Sequence, residues 1–259
     1  MIPLFRELIV ELNSDCNRDC FFCPRHSDNT GHRKFHGKKI VQFMPTELVQ
    51  KILGEAKEMG FKGYVTFHHF SEPFLDPRLI EFAKLAKLYG MHPFEHTNGD
   101  LLRKNDELCE QVKETFAHIV VGLYDHCSEE EREEQKKFWL ERLAGMKVLF
   151  SCVDDVFVRS HYTEKNLDGF QSKKGIRPSK PKWPNGKCSN PGLKMLIHYT
   201  GKMALCCEDM CEEFDLGSAH DTSIWDLWYS EKHVKIYQNL QEGKRHMYPL
   251  CSQCPITPF

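Results

Sequence analysis

Three cysteines stand close together in the run Cys16-Asn17-Arg18-Asp19-Cys20-Phe21-Phe22-Cys23. Thiolates at this spacing can each hold one iron of a four-iron cluster, which leaves the fourth iron without a protein ligand and open to a small molecule. A zinc loop with a distant fourth ligand uses similar spacing, and three buried thiols would need no metal at all. Position favours the cluster. The loop directly follows a strand-like run over residues 7–12, and parallel α/β sheets collect ligands at the carboxyl ends of their strands.

A second set, Cys188, Cys206, Cys251 and Cys254, lies within the last 72 residues of the 259-residue chain. Four thiolates from one small unit can ligate a second cluster completely, although four cysteines ending in Cys-x-x-Cys are also a zinc-ribbon pattern. Either way the segment is too short and too cysteine-rich to rely on an apolar core alone, so the metal is expected to be part of its fold. Five further cysteines, Cys109, Cys127, Cys152, Cys207 and Cys211, read individually as small buried residues.

Twelve cysteines without a basic, apolar N-terminal start argue against a secreted disulfide framework and for metal ligation in a reducing cytoplasm. Oxygen sensitivity follows from that. The 35 basic and 37 acidic residues nearly cancel, which removes any global electrostatic reason to expect nucleic acid or an anionic membrane. No window approaches 18 uninterrupted apolar residues.

The elements that must hold these cysteines alternate in type. Strand signals fall at 7–12, 64–68, 92–96, 119–123, 148–150 and 156–158. Helical signals fall at 47–58, with Thr46 as N-cap, at 78–89 after Pro77, at 106–116, and at 128–144 with Phe138, Trp139 and Leu143 inward. Such alternation predicts a parallel α/β sheet, curved or closed into a partial (β/α)6 barrel, over 1–165. Gly, Pro, Lys and Ser accumulate over 163–187, which marks a solvated linker at 166–187. The segment 188–259 then reads as a small cluster-binding domain. It has a hairpin with a two-residue turn at Thr200-Gly201, a helix capped by Ser223, and another over 231–242 before Gly243.

With its aromatic Phe22 before the third cysteine, the first motif resembles that of the radical S-adenosylmethionine (SAM) superfamily. The resemblance implies two four-iron clusters and SAM as cofactors. The open iron would chelate the amino and carboxylate groups of SAM and cleave it reductively to a 5'-deoxyadenosyl radical. Two more turns fit. Phe70-Ser71-Glu72-Pro73 follows the second strand where the family carries a Gly-Gly-Glu-Pro-like turn, so Ser71 and Glu72 are expected at the methionine end of SAM. Thr97-Asn98-Gly99 ends the third strand and matches a frequent family turn, although Asn-Gly is also simply good turn chemistry. The C-terminal set resembles the one-cluster form of the family's SPASM extension, called the twitch domain, which assigns Cys188, Cys206, Cys251 and Cys254 to an auxiliary cluster.

The resemblance spans nearly the whole chain to a member that oxidises a secondary alcohol of an aminocyclitol to a ketone. It implies a small-molecule substrate, a flavodoxin- or ferredoxin-type electron donor, and a proton-accepting residue in the region of Arg159 and His161. Of these two, histidine is the chemically easier base. The second cluster would take the second electron, and Glu208, close to Cys206, is placed to hydrogen-bond substrate hydroxyl or ammonium groups. Three other readings stay open. A Cys207 thiol returning a hydrogen atom would make the protein an epimerase, and relatives with such extensions also modify peptides. Zinc in both cysteine sets would make it a non-catalytic binding protein.

Overall fold

Short strands, all but the edge strand at 147–152 buried along most of their length, dictate a sheet largely covered on its faces rather than one open to water. In the computed structural model, residues 2–18, 41–124, 128–152, 185–209, 212–252 and 254 are described. The strands are β1 (Glu7–Val10), β2 (Tyr64–Thr66), β3 (His92–Thr97), β4 (His118–Leu123), β5 (Lys147–Cys152), β6 (Lys194–Ile197) and β7 (Met203–Ala204). They form one sheet in the order β5-β4-β3-β2-β1-β6-β7, with all neighbours parallel except β6 and β7.

Helices occupy the crossovers, as parallel pairing requires. They are α1 (Thr46–Glu58), α2 (Leu79–Leu88), α3 (Asp100–Lys104), α4 (Asp106–Thr115) and α5 (Glu129–Arg142). The fold is therefore the expected mixed α/β class. Leu48, Val49, Ile52, Leu53 and Ala56 recur at helical spacing in α1 and are all buried, each large one contributing about 1.5–3 kcal/mol. Pro45, not Thr46, holds the cap position of α1, while Ser128 accepts from Glu131 N at the start of α5 as its side chain predicts.

The parallel pairing of β6 with β1, Glu7 against Lys194 through Val10 against Ile197, splices the C-terminal segment into the same sheet. More bonds secure it: Lys51 Nζ donates to the Ala219 and Thr222 carbonyls, Glu55 accepts from Ile224 N, and Trp228 Nε1 donates to Pro3 O. Helices α6 (Ile224–Trp228), α7 (Glu231–Gln241) and α8 (Pro249–Ser252) complete it. The expected two-residue turn between β6 and β7 has three residues instead. His198 pairs with Lys202, Gly201 N returns to His198 O, and Gly201 takes φ +82°. This is the loop of a type I turn followed by a left-handed residue. The expected strand at 156–158 and nearly all of the linker 166–187 lie outside the described residues.

Candidate active site and thiol pockets

Cys16 leaves β1 by way of a tightly tied loop. Asn13 Oδ1 accepts from Asp15 N, and its Nδ2 donates to Glu72 O, so the turn after β2 is fixed against the cysteine segment. Glu72 N donates to Asp15 O at 2.8 Å in return. On the other side Asn98 Nδ2 donates to Asn17 Oδ1 and lies 4.0 Å from Cys16 Sγ, while Arg18 makes a double hydrogen bond to Asp100 at 2.9 and 2.6 Å. The turn at 97–100 thus works first as a brace for the cysteine loop. Gly99 makes it possible: φ is +80°, and a Cβ there would meet Trp139 of α5 at 2.4 Å.

These residues border one cavity of about 320 Å³, whose walls include Cys16, Ser71, Glu72, Thr97 and Asn98. Glu72 is 3% exposed and accepts from Thr97 Oγ1 at 2.7 Å, Asn98 N at 2.8 Å and Phe74 N at 3.3 Å. Burial pushes its carboxyl up to about 7, and those three bonds do not cancel the effect. Ser71 Oγ is buried against the same cavity without a hydrogen-bond partner. A buried orphan hydroxyl calls for a ligand atom, and its place beside Glu72 and Cys16 fits SAM. Cys20, Phe22 and Cys23 lie outside the described residues, as do Arg159 and His161.

The second thiol set converges. Cys188, Cys206, Cys251 and Cys254 line a small, mostly apolar pocket with Leu205, Leu240 and Leu250, and with Glu208 and Arg245 at its wall. Burial first, and the crowding of neighbouring thiols next, push the Cys206 and Cys251 thiols up. Such a pocket suits thiolates only when a positive charge sits among them. Among the described residues, the group of three side chains with ligand atoms mutually within 4.8 Å is Glu11, His69 and His198, not any three of these cysteines. Tetrahedral zinc at about 2.3 Å from each sulfur would hold the sulfurs about 3.8 Å apart.

Glu208 is 7% exposed and borders both the main cavity and the thiol pocket, and Cys207 lines the main cavity. The cavity therefore lies between Cys16 and the second thiol set. Across it, Lys194 and Glu7 form an ion pair at 2.9 Å on adjoining strands.

Two clusters escaped the sequence reading. Glu95, fully buried, accepts from Thr66 Oγ1, Phe67 N and His96 N, and its Oε1 lies 2.7 Å from His68 Nδ1. Burial pushes its carboxyl up to about 8. His68 lines the cavity. The signal was a lone acid in the middle of a strand, where a buried carboxyl is rarely tolerated without a partner. The other cluster joins Glu11, His69 and His198. Burial alone would raise Glu11, but the hydrogen bond from His198 and the two nearby imidazoles outweigh it and hold the carboxyl low.

Comparison with known proteins agrees with this geometry. The Radical SAM superfamily pattern matches residues 10–162, and an iron-sulfur cluster-binding domain, SPASM, matches 188–255. The S-adenosyl-L-methionine-dependent 2-deoxy-scyllo-inosamine dehydrogenase of Niallia circulans is 26% identical over 98% of this chain and 94% of its own. The crystal structure of BtrN in complex with AdoMet and 2-DOIA superposes with a TM-score of 0.75 at 23% identity, covering 99% of this chain and 95% of that one. Native anSMEcpe with bound AdoMet gives 0.61 at 13% identity, covering 98% and 88%. These structural likenesses concern the fold. The superfamily pattern covers more than half of the chain, from β1 past β5, and on that ground the protein belongs to the radical SAM superfamily.

Proposed function

We propose that this protein is a dehydrogenase that oxidises a secondary alcohol of an aminocyclitol or similar amino-polyol to a ketone. The observation that carries the reading is the position of the cavity, which places Glu208 between the first cysteine loop and the four-thiol pocket. The full-length similarity to a 2-deoxy-scyllo-inosamine dehydrogenase supports it. When bound, SAM and the cluster at Cys16, Cys20 and Cys23 supply a hydrogen-abstracting 5'-deoxyadenosyl radical, and a cluster on Cys188, Cys206, Cys251 and Cys254 supplies an electron acceptor. A cytoplasmic location and a flavodoxin- or ferredoxin-type reductant belong to this reading. Among the described residues no helix is long and apolar enough to cross a membrane.

The chain's own residues do the rest. Ser71, Thr97, Asn98 and Glu72 hold the amino-acid end of SAM, with Phe22 beside the third cysteine. Glu208 and the Glu7–Lys194 pair present acceptors and a donor to hydroxyl and ammonium groups of the substrate. The hydroxyl proton goes to His68 Nε2, whose other nitrogen is steadied by Glu95; Arg159 and His161 are the further residues assigned to this proton. An anaerobic assay with reductant, SAM and candidate aminocyclitols tests the whole. Ketone and 5'-deoxyadenosine formed in equal amounts are the expected result; 5'-deoxyadenosine with a mass-neutral product overturns it in favour of epimerisation. Cys207 on the cavity wall is the observation that keeps that second reading alive.

Glu72 gives this reading a pH signature. A cationic ammonium needs the ionised carboxylate, and burial holds Glu72 near 7 before SAM arrives. Affinity for SAM is expected to fall about tenfold for each pH unit below that value, since one proton must leave per SAM bound. Equilibrium dialysis of the cluster-loaded protein between pH 5.5 and 8.5 measures it. Glu72→Gln should bind more weakly and with little pH dependence, whereas unchanged affinity in this variant would remove Glu72 from the SAM site.

A further inference from the structure

Glu11, His69 and His198 come from three separate places: just beyond β1, the turn after β2, and just beyond β6. One ligand atom from each lies within 4.8 Å of the others. Glu11 is 3% and His198 0% exposed. Each histidine also makes the same kind of bond with its outer nitrogen. His69 Nε2 lies 3.0 Å from the Cys207 carbonyl, and His198 Nε2 lies 3.2 Å from the Asp209 carbonyl.

A carbonyl can only accept, so both Nε2 atoms carry hydrogen; on neutral His69 the lone pair then falls on Nδ1, while His198 also donates from Nδ1 to Glu11 Oε2, a hydrogen that an incoming ion would displace. Donation of the outer N–H to a backbone carbonyl is how metal-binding histidines are generally fixed in tautomer and orientation. Glu11 shows the matching support, with Oε1 accepting from Phe70 N at 2.9 Å while Oε2 stands 3.2 Å from His198 Nδ1. His69 Nδ1 is buried and has no hydrogen-bond partner. A buried nitrogen left in that state is costly, and an ion is one of the few things that explain it.

We infer that Glu11, His69 and His198 form a third metal site, for a single divalent cation of the zinc or ferrous class, separate from both cysteine sets. Two imidazoles and one carboxylate are a ligand set such ions take with a coordination position left over. The site ties the ends of β1, β2 and β6 to the 207–209 loop. Because His69 also lines the main cavity, the ion would sit at its wall.

Zinc chloride alone is the probe. Anaerobically reconstituted holoenzyme, freed of loose metal on a chelating resin, is titrated with zinc by equilibrium dialysis, and zinc and iron per chain are counted together. One zinc per chain with iron unchanged is expected, with at least a tenfold loss of affinity in His69→Ala, His198→Ala and the near-isosteric Glu11→Gln, each checked for retained iron and near-ultraviolet circular dichroism. Zinc should also raise the Tm of the wild type. Three outcomes overturn the site: no stoichiometric zinc, zinc taken up only as iron is lost, or equal affinity in Glu11→Gln. The last remains decisive if either alanine variant fails to fold, because Glu11→Gln removes the charge with little change in shape.

Discussion

Replacing Cys251 with alanine is expected to lower the iron of anaerobically reconstituted protein from about eight atoms per chain to about four, and to abolish ketone formation while SAM is still cleaved. The expectation follows from where Cys251 sits. It is 8% exposed on the short helix α8, in the pocket with Cys188, Cys206 and Cys254, and far in sequence from the loop that begins at Cys16. Cys188 and Cys206 reach that pocket from distant parts of the chain, and Cys254 from just beyond the helix. Loss of one ligand strands three thiols, and burial already holds two of them, Cys188 and Cys206, against ionisation. Cys254, half-exposed at the end of the pocket, makes a gentler comparison. Cys254→Ser should lose less iron and retain partial ketone formation. The measurement is iron per chain alongside the ratio of ketone to 5'-deoxyadenosine. Should Cys251→Ala keep about eight irons, the four-thiol assignment fails; should it keep its ketone yield with about four, the pocket is structural and not an electron acceptor.

How far such a site can be read without coordinates depends on whether its residues are neighbours in sequence. Cys16 with its loop, and Cys251 with Cys254, declare themselves because ligand spacing is local. The helix starts at Ser128 and Ser223 declare themselves for the same reason: a hydroxyl satisfies an N–H three residues on. By contrast, β6 joining β1 is settled across 187 positions by burial of Met195 and Ile197 against the core, and nothing local reports it. The turn at 198–202 shows a finer limit. Thr200-Gly201 marks a reversal, but whether two or three residues span it depends on which side chains of β6 and β7 face the core, and Leu196 opposite Ala204 decides for three. Glu11 escaped notice because it ends a strand next to the cysteine loop and passes for an edge carboxylate. Only the fold brings His198 to it.

The Glu95–His68 pair carries the expectation most sensitive to pH. Glu95 keeps its proton up to about 8 because burial disfavours its charge. Below that pH the pair is already protonated and His68 has no room for a substrate proton; above it the carboxylate supports a new imidazolium. Ketone formation should therefore rise with pH from 6 and level off above about 8. Glu95→Gln should flatten that rise and reduce the rate roughly 10²- to 10³-fold, as loss of a working general base does. The double variant with His68→Ala should be no slower than the slower single one, since the two act as a unit. Stability moves the other way, which separates folding from chemistry. A carboxyl raised in the folded state adds stability below its unfolded value near 4.5 and loses it as pH rises toward about 8, because the folded form holds the extra proton. The glutamine variant forfeits one acceptor for Phe67 N or His96 N, about 1–3 kcal/mol, yet its Tm should decline less steeply between pH 6 and 8. A lower Tm with an unaltered pH–rate profile would reduce Glu95 to a packing residue and return the proton to the 159–161 region. A flattened profile with 5'-deoxyadenosine still formed would place it at His68.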